Sequence, residues 1–94
     1  MVTRSVTVTN ALGMHARAAA RFVRAATAFE SRILVERHGR VMDGKSIMGL
    51  LLLAAPRGAQ LTISADGVDE QQAIETLCDL VQRGFEEGEA PAAT

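Results

Sequence analysis

Apolar residues in this chain switch several times between a spacing of two and a spacing of three to four, and that switching limits the folds open to it. Val2 to Thr9 places Val6 and Val8 on one side and Thr3, Ser5, Thr7 and Thr9 on the other, the period of a half-buried strand. Asn10 to Met14 then turns the chain. From Ala16 to about Phe29, the positions Ala19, Phe22, Val23 and Ala26 recur at helical spacing, which predicts one buried stripe. Arg17, Arg21 and Arg24 share the opposite side. Ile33 to Arg37 is rich in branched residues, His38-Gly39-Arg40 suits a tight reversal, and Val41-Met42 predicts a short returning strand. Asp43-Gly44-Lys45 makes a turn, after which Ser46 caps a short helix through about Ala54, and Pro56-Arg57-Gly58 breaks it. Leu61, Ile63 and Ala65 alternate as a fourth strand. Asp69 with Gln72 predicts a capping pair before a last helix whose Ala73, Ile74, Leu77 and Val81 share a face and which Gly84 stops.

The predicted order is therefore β-α-β-β-α-β-α. Helices on one face of a mainly antiparallel sheet bury every apolar stripe, so the expected class is α+β, a two-layer open-faced sandwich. Its 94 residues give room for one core, with no internal repeat and no linker. Residues 1–86 read as the domain and 87–94 as a disordered C-terminal tail.

Within that frame, His15 in Leu12-Gly13-Met14-His15-Ala16-Arg17 is an imidazole where a helix begins. The first turn of a helix exposes N–H groups without intrahelical acceptors, and the aligned peptide dipoles leave partial positive charge there. Anions bind such ends, and Arg17 adds a planar donor fork for phosphate oxygens. A neutral imidazole nitrogen supplies a nucleophile that can carry phosphorus. On these residues alone, a simple helix cap accounts for His15 equally well.

Ile47-Met48-Gly49-Leu50-Leu51-Leu52-Leu53 is apolar nearly all round. If Leu50, Leu53 and Ala54 face the core, then Ile47, Met48, Leu51 and Leu52 turn toward solvent as an exposed apolar patch.

Composition removes several classes. A net charge of -1, with arginines on one helix face and no interleaved aromatics, argues against nucleic acid and suits an acidic protein partner. No apolar run approaches the roughly 18 residues of a membrane span, and no signal-like N-terminus is present, so no membrane insertion and a cytoplasmic location are expected. Cys78 is the only cysteine and reads as a buried small hydrophobe. His15 and His38 are the only histidines, so no zinc spacing arises and no metal is expected; His38 reads as a turn residue.

Gly39-Arg40-Val41-Met42-Asp43-Gly44-Lys45-Ser46 matches the phosphate-binding loop of nucleotide hydrolases. The context contradicts it. Val41-Met42 reads as strand, Pro56 cuts the following helix short, and no later apolar strand is seen to end in an acidic residue placed for magnesium.

Leu12-Gly13-Met14-His15-Ala16-Arg17 followed by Gly44-Lys45-Ser46-Ile47-Met48-Gly49 on this element order closely resembles the HPr family, the histidine-containing phosphocarriers of the phosphoenolpyruvate-dependent sugar phosphotransferase system. The resemblance runs from residue 2 to about 85. It implies three helices on a four-stranded antiparallel sheet in the order 1-4-2-3. It also implies that His15 takes a phosphoryl group on Nδ1 from phospho-enzyme I and passes it to IIA proteins, with Arg17 steadying the oxygens. The protein would be a carrier forming a phosphohistidine rather than a stand-alone enzyme, a monomer without cofactor. Ala16, Ala20, Arg24, Ile47, Met48 and Leu51 match the family's docking surface. Ser46 matches a serine that HPr kinase/phosphorylase modifies. One departure is Ala18, where most members have proline, which implies the loss of about 0.4 to 1 kcal/mol of preorganisation. An alternative within the same fold is a regulatory interaction module for carbon or nitrogen signalling without sugar transport.

Overall fold

A computed structural model describes residues 1–86, and the tail expected over 87–94 lies outside the described residues. The elements are β1 (Val2–Thr7), α1 (Ala16–Thr27), β2 (Arg32–Arg37), β3 (Arg40–Asp43), α2 (Ile47–Leu52), β4 (Gln60–Asp66) and α3 (Glu70–Gln82), followed by a left-handed turn over Gly84–Glu86. The strands form one sheet in the order β1-β4-β2-β3, with every neighbouring pair antiparallel. Val6 faces Leu61, and Ile63 sits between Arg4 and Val35, so the apolar residues of adjacent strands share one side. Helices cover that side. Val6, Val8, Ile33, Val35, Leu61, Ile63 and Ala65 meet Phe22, Ala26, Leu50, Ile74, Leu77 and Val81 in one core.

The periodicity located each element, and local hydrogen bonding moved its ends. Val8 leaves the β1 ladder but stays buried, exchanging bonds with the next loop: its N–H donates to Ala59 at 2.9 Å and its carbonyl accepts from Gly58 at 2.8 Å. α1 stops two residues short of Phe29, where the Ala28 N–H folds back on the carbonyls of Ala25 and Ala26. His38 and Gly39 join β2 to β3 with φ of 53° and 79°, the two left-handed residues of a type I′ hairpin turn.

Two side-chain roles differ from expectation. Ala54 does not face the core: the chain leaves α2 through it at φ 51°, which turns it to solvent and buries Ala55 instead. Asp69 occupies the N-cap position of α3 but makes no side-chain capping bond, so the pairing with Gln72 does not form. Its carboxylate instead crosses to the loop after α1. It accepts from Ser31 Oγ at 2.5 Å, from Ser31 N at 3.0 Å and from Glu30 N at 2.9 Å. Glu70 closes the other side of this turn by accepting from Gly67 N at 3.1 Å.

The Ser31 hydroxyl first, and then the Glu30 amide, hold the Asp69 carboxyl below the ordinary 3.8 of an aspartate. A carboxyl depressed in the fold stabilises it above the unfolded value, and that contribution disappears as pH falls through the folded value. Stability is therefore expected to fall from about 3.8 downward, and Asp69→Asn should lower stability at neutral pH while flattening that acid loss. Urea melts at neutral and acid pH check both. An unchanged acid slope in the variant would assign the loss to other carboxylates.

Candidate functional site

Residues 10–15 form a loop bound at several points before α1 starts. Asn10, itself buried, donates through Nδ2 to the Gly13 carbonyl at 2.7 Å, and the Met14 N–H reaches across to the Ala55 carbonyl at 2.8 Å. Gly13 has φ 66°, and a Cβ there would strike the Ala55 carbonyl oxygen and come within 2.9 Å of Pro56 Cα. Glycine is required on both counts. Met14 before the histidine is buried, as are Ala18 and Ala19 after it. The half-buried His15 is thus anchored from both sides.

His15 is the N-cap of α1, with extended backbone at φ -83° and its carbonyl accepting from Ala19 N at 2.8 Å. Its Nδ1 accepts from the Arg17 N–H at 3.3 Å. An accepting Nδ1 assigns the ring proton to Nε2, so the nitrogen facing the helix start carries a lone pair. The capping bond is long, and long bonds are weak. The atom that caps the helix is therefore also one whose lone pair could act as a nucleophile. No acidic residue lies in the first turn of α1, so nothing there opposes an incoming anion.

Of the three arginines on α1, Arg17 and Arg24 are exposed, whereas Arg21 is half-buried and donates through Nη1 to the Phe85 carbonyl at 2.7 Å. The open basic face is smaller than the spacing predicted. Arg21 holds the C-terminal turn instead.

α2 packs against α1. Ser46 caps α2, its Oγ accepting from Gly49 N at 3.0 Å, and the neighbouring Lys45 Nζ donates to the Phe29 carbonyl beyond α1 at 2.8 Å. Leu50 and Leu53 enter the core. Met48 is 69% exposed, Leu52 53% and Ile47 42%, while Leu51 packs half-buried against the core. The apolar patch exists, with Leu51 at its base. Ala16 is exposed and Ala20 half-buried on the adjoining helix.

The nucleotide-loop pattern over Gly39–Ser46 is occupied by a hairpin. Arg40–Asp43 pairs with β2, Gly44 N donates to Ile33 O at 2.8 Å, and Ser46 N to Asp43 O at 3.1 Å, so these amides are not gathered around a phosphate. Gly44 has its own reason: a Cβ would lie 3.0 Å from Ile33 Cβ. β4 ends on an acid, Asp66, but that carboxylate faces the Met1 amine at 3.7 Å rather than a phosphate loop.

The family model described as the PTS HPr component phosphorylation site matches residues 2–83. The chain belongs to the HPr family. Phosphocarrier protein HPr of Cupriavidus necator is 45% identical over 89 residues, which span 95% of this chain and 100% of that protein. HPr-like protein Crh of Bacillus subtilis is 44% identical over 82 residues, covering 87% and 96%. The crystal structure of HPr-C-His from Thermoanaerobacter tengcongensis superposes with a TM-score of 0.89 at 40% identity, covering 93% of this chain and 98% of that one.

This HPr family member places Ala18, buried, at the third position of α1. The first intrahelical bond starts from Ala19, so a proline at residue 18 would remove no N–H from the ladder. No helix among the described residues is long and apolar enough to cross a membrane. Cys78 is buried as expected, and burial raises its thiol pKa.

Sequence reasoning missed three features around the site. Phe85 is fully buried at φ 57°, and the signal was an aromatic directly after the helix-stopping Gly84. Leu12, three residues before His15, is 72% exposed. Arg37 and Arg40 cap the end of α2, donating to the carbonyls of Leu53 at 3.1 Å and Leu52 at 3.2 Å; spacing along the chain gives no sign of this.

Proposed function

We propose that this chain is a phosphocarrier of the sugar phosphotransferase system, accepting a phosphoryl group on His15 from phospho-enzyme I and delivering it to IIA proteins in the cytoplasm. The observation that carries the reading is the His15 Nδ1 lone pair directed at the Arg17 amide at the start of α1. In the transfer, Nδ1 attacks phosphorus in line, a new N–P bond forms, and the donor's own N–P bond breaks with its electron pair returning to the donor imidazole. The transition state spreads charge over three oxygens. The first-turn amides and the Arg17 guanidinium meet that charge without forming a covalent bond. Half-exposure of the ring supports release as well as loading, since a carrier that held phosphorus too deeply would not deliver it.

Ala16, Ala20, Arg24, Ile47, Met48 and Leu51 serve as the docking surface, used by donor and acceptor in turn. Exposed Met48 and Ile47 on a helix packed against α1 support this, as does the adaptability of methionine to different partners. Incubation with phosphoenolpyruvate, enzyme I and IIA proteins tests it: acid-labile phosphate appears on the chain and moves to IIA.

Ser46 is the regulatory position, modified by an HPr kinase/phosphorylase. A phosphate there adds about -1.5 to -2 charge beside an apolar docking patch, while the N-terminus of α2 tolerates it. Ser46→Asp is expected to slow phosphoryl acceptance from enzyme I by about tenfold, the factor given by roughly 1.4 kcal/mol of lost docking energy. Transfer at the wild-type rate would remove Ser46 from the regulatory scheme.

The similar Crh of Bacillus subtilis, described as a catabolite repression HPr, favours a second reading, an interaction module read by regulators. Such a module would acquire no acid-labile phosphate in the same incubation.

A further inference from the structure

Two arginines and a histidine at the mouth of the β2–β3 hairpin have no part in the chemistry at His15. Arg37, His38 and Arg40 line a cleft of about 270 Å³ together with Leu52, Leu53 and Ala54, and no acidic side chain lines it. None of the three basic residues forms an ion pair among the described residues. Arg37 donates through Nη1 to the carbonyls of Leu53 at 3.1 Å and Ala54 at 3.4 Å, and Arg40 through Nη1 to that of Leu52 at 3.2 Å. These bonds fix both guanidinium groups while using only one nitrogen of each. Each guanidinium keeps Nε and Nη2 donors, and two full positive charges exceed the partial negative charge of about one half at a helix C-terminus. The result is a pair of pre-oriented donor forks, the geometry that suits phosphate oxygens.

A second cleft of about 430 Å³ shares Arg37 and His38 with the first and continues along Glu36, Gly58, Ala59, Gln60 and Thr62. Its side chains are a carboxylate, an amide and a hydroxyl, the groups that hydrogen-bond neutral polyols.

We propose that this hairpin mouth binds a phosphorylated sugar, the phosphate between Arg37 and Arg40 beside His38 and the hydroxyl-bearing ring along Glu36 and Gln60. The site is separate from His15 and does not depend on the phosphocarrier reading.

The test follows backbone amides by ¹⁵N NMR while the full chain is titrated with glucose 6-phosphate, inorganic phosphate or glucose at millimolar concentration. Glucose 6-phosphate is expected to move His38, Gly39, Arg40, Leu53 and Ala54 together with Gln60. Inorganic phosphate moves the hairpin group without Gln60, and glucose moves neither. Arg40→Gln should weaken the sugar phosphate by about tenfold, the loss of one charge-assisted contact. His38→Asn keeps a residue that tolerates the left-handed turn and removes the imidazole, so it tests the site even if Arg40→Gln loosens α2. It should weaken binding severalfold. Shifts confined to Met14–Ala18 would assign phosphate to the start of α1 and overturn the proposal. So would the absence of any hairpin shift, or unchanged affinity in His38→Asn.

Discussion

His15→Asn is expected to fold at least as well as the natural chain and to take up no acid-labile phosphate. In the proposed function His15 has two separable duties, and asparagine keeps one of them. As N-cap, the residue supplies an acceptor to the Arg17 N–H, a bond that His15 makes at a long 3.3 Å and that asparagine, a preferred cap, makes well. As nucleophile, it supplies a nitrogen lone pair, which an amide lacks. Label transfer from phospho-enzyme I should therefore fall by at least about three orders of magnitude, the scale seen when a covalent nucleophile is removed. His15→Ala should lose transfer equally and add a capping loss of up to about 1 kcal/mol. Thermal melts and acid-labile label, measured on both variants, separate cap from chemistry. Label persisting in either variant would place the phosphoryl group elsewhere and remove the central atom of the proposed function.

The fold could be read from apolar spacing because each element carries its own period, and one buried face per element leaves few ways to assemble them. Val6, Leu61 and Ile63 share a face by strand period, Phe22 and Ala26 by helix period, and all are buried. The strand order β1-β4-β2-β3 came from the family resemblance, not from spacing, since alternation fixes faces without fixing neighbours. What escaped was long-range and polar. Asp69 was assigned to its own helix on local sequence, yet its carboxylate serves Ser31 and Glu30, 38 and 39 residues earlier in the chain. Arg21 was counted with a basic face and instead holds the Phe85 carbonyl, 64 residues away. Such partners are invisible to any local window because the contact exists only after the sheet has formed. At the site, the place of His15 at the start of α1 and the exposed side of α2 were legible, since local sequence and helix periodicity alone generate them. The bonds that orient the histidine loop, Met14 to Ala55 above all, were not.

Those bonds make Gly13→Ala the most damaging small substitution expected near the site. An alanine at φ 66° costs about 1–2 kcal/mol for the left-handed backbone. Its Cβ also collides with the Ala55 carbonyl oxygen and crowds Pro56 Cα, both backbone atoms that cannot swing aside, and such overpacking adds about 1–3 kcal/mol. The total of roughly 2–5 kcal/mol predicts a fall in Tm of at least about 10 °C for a domain of this size. The function should fall further than the stability. To relieve the clash, the loop must move away from Ala55, stretching the Met14 N–H bond to that carbonyl and the His15 N–H bond to Gly13, now 2.8 and 2.9 Å. Both precede the imidazole directly, so phosphoryl acceptance drops even at temperatures where the variant remains folded, because in-line transfer tolerates little displacement. Gly39→Ala supplies the comparison. It shares the left-handed φ, at 79°, but has nothing within 4 Å of its would-be Cβ, so it should lose only the backbone portion and leave transfer intact. Equal damage from the two alanines would mean that backbone strain alone matters at Gly13, and that the contact with Ala55 does not position the histidine.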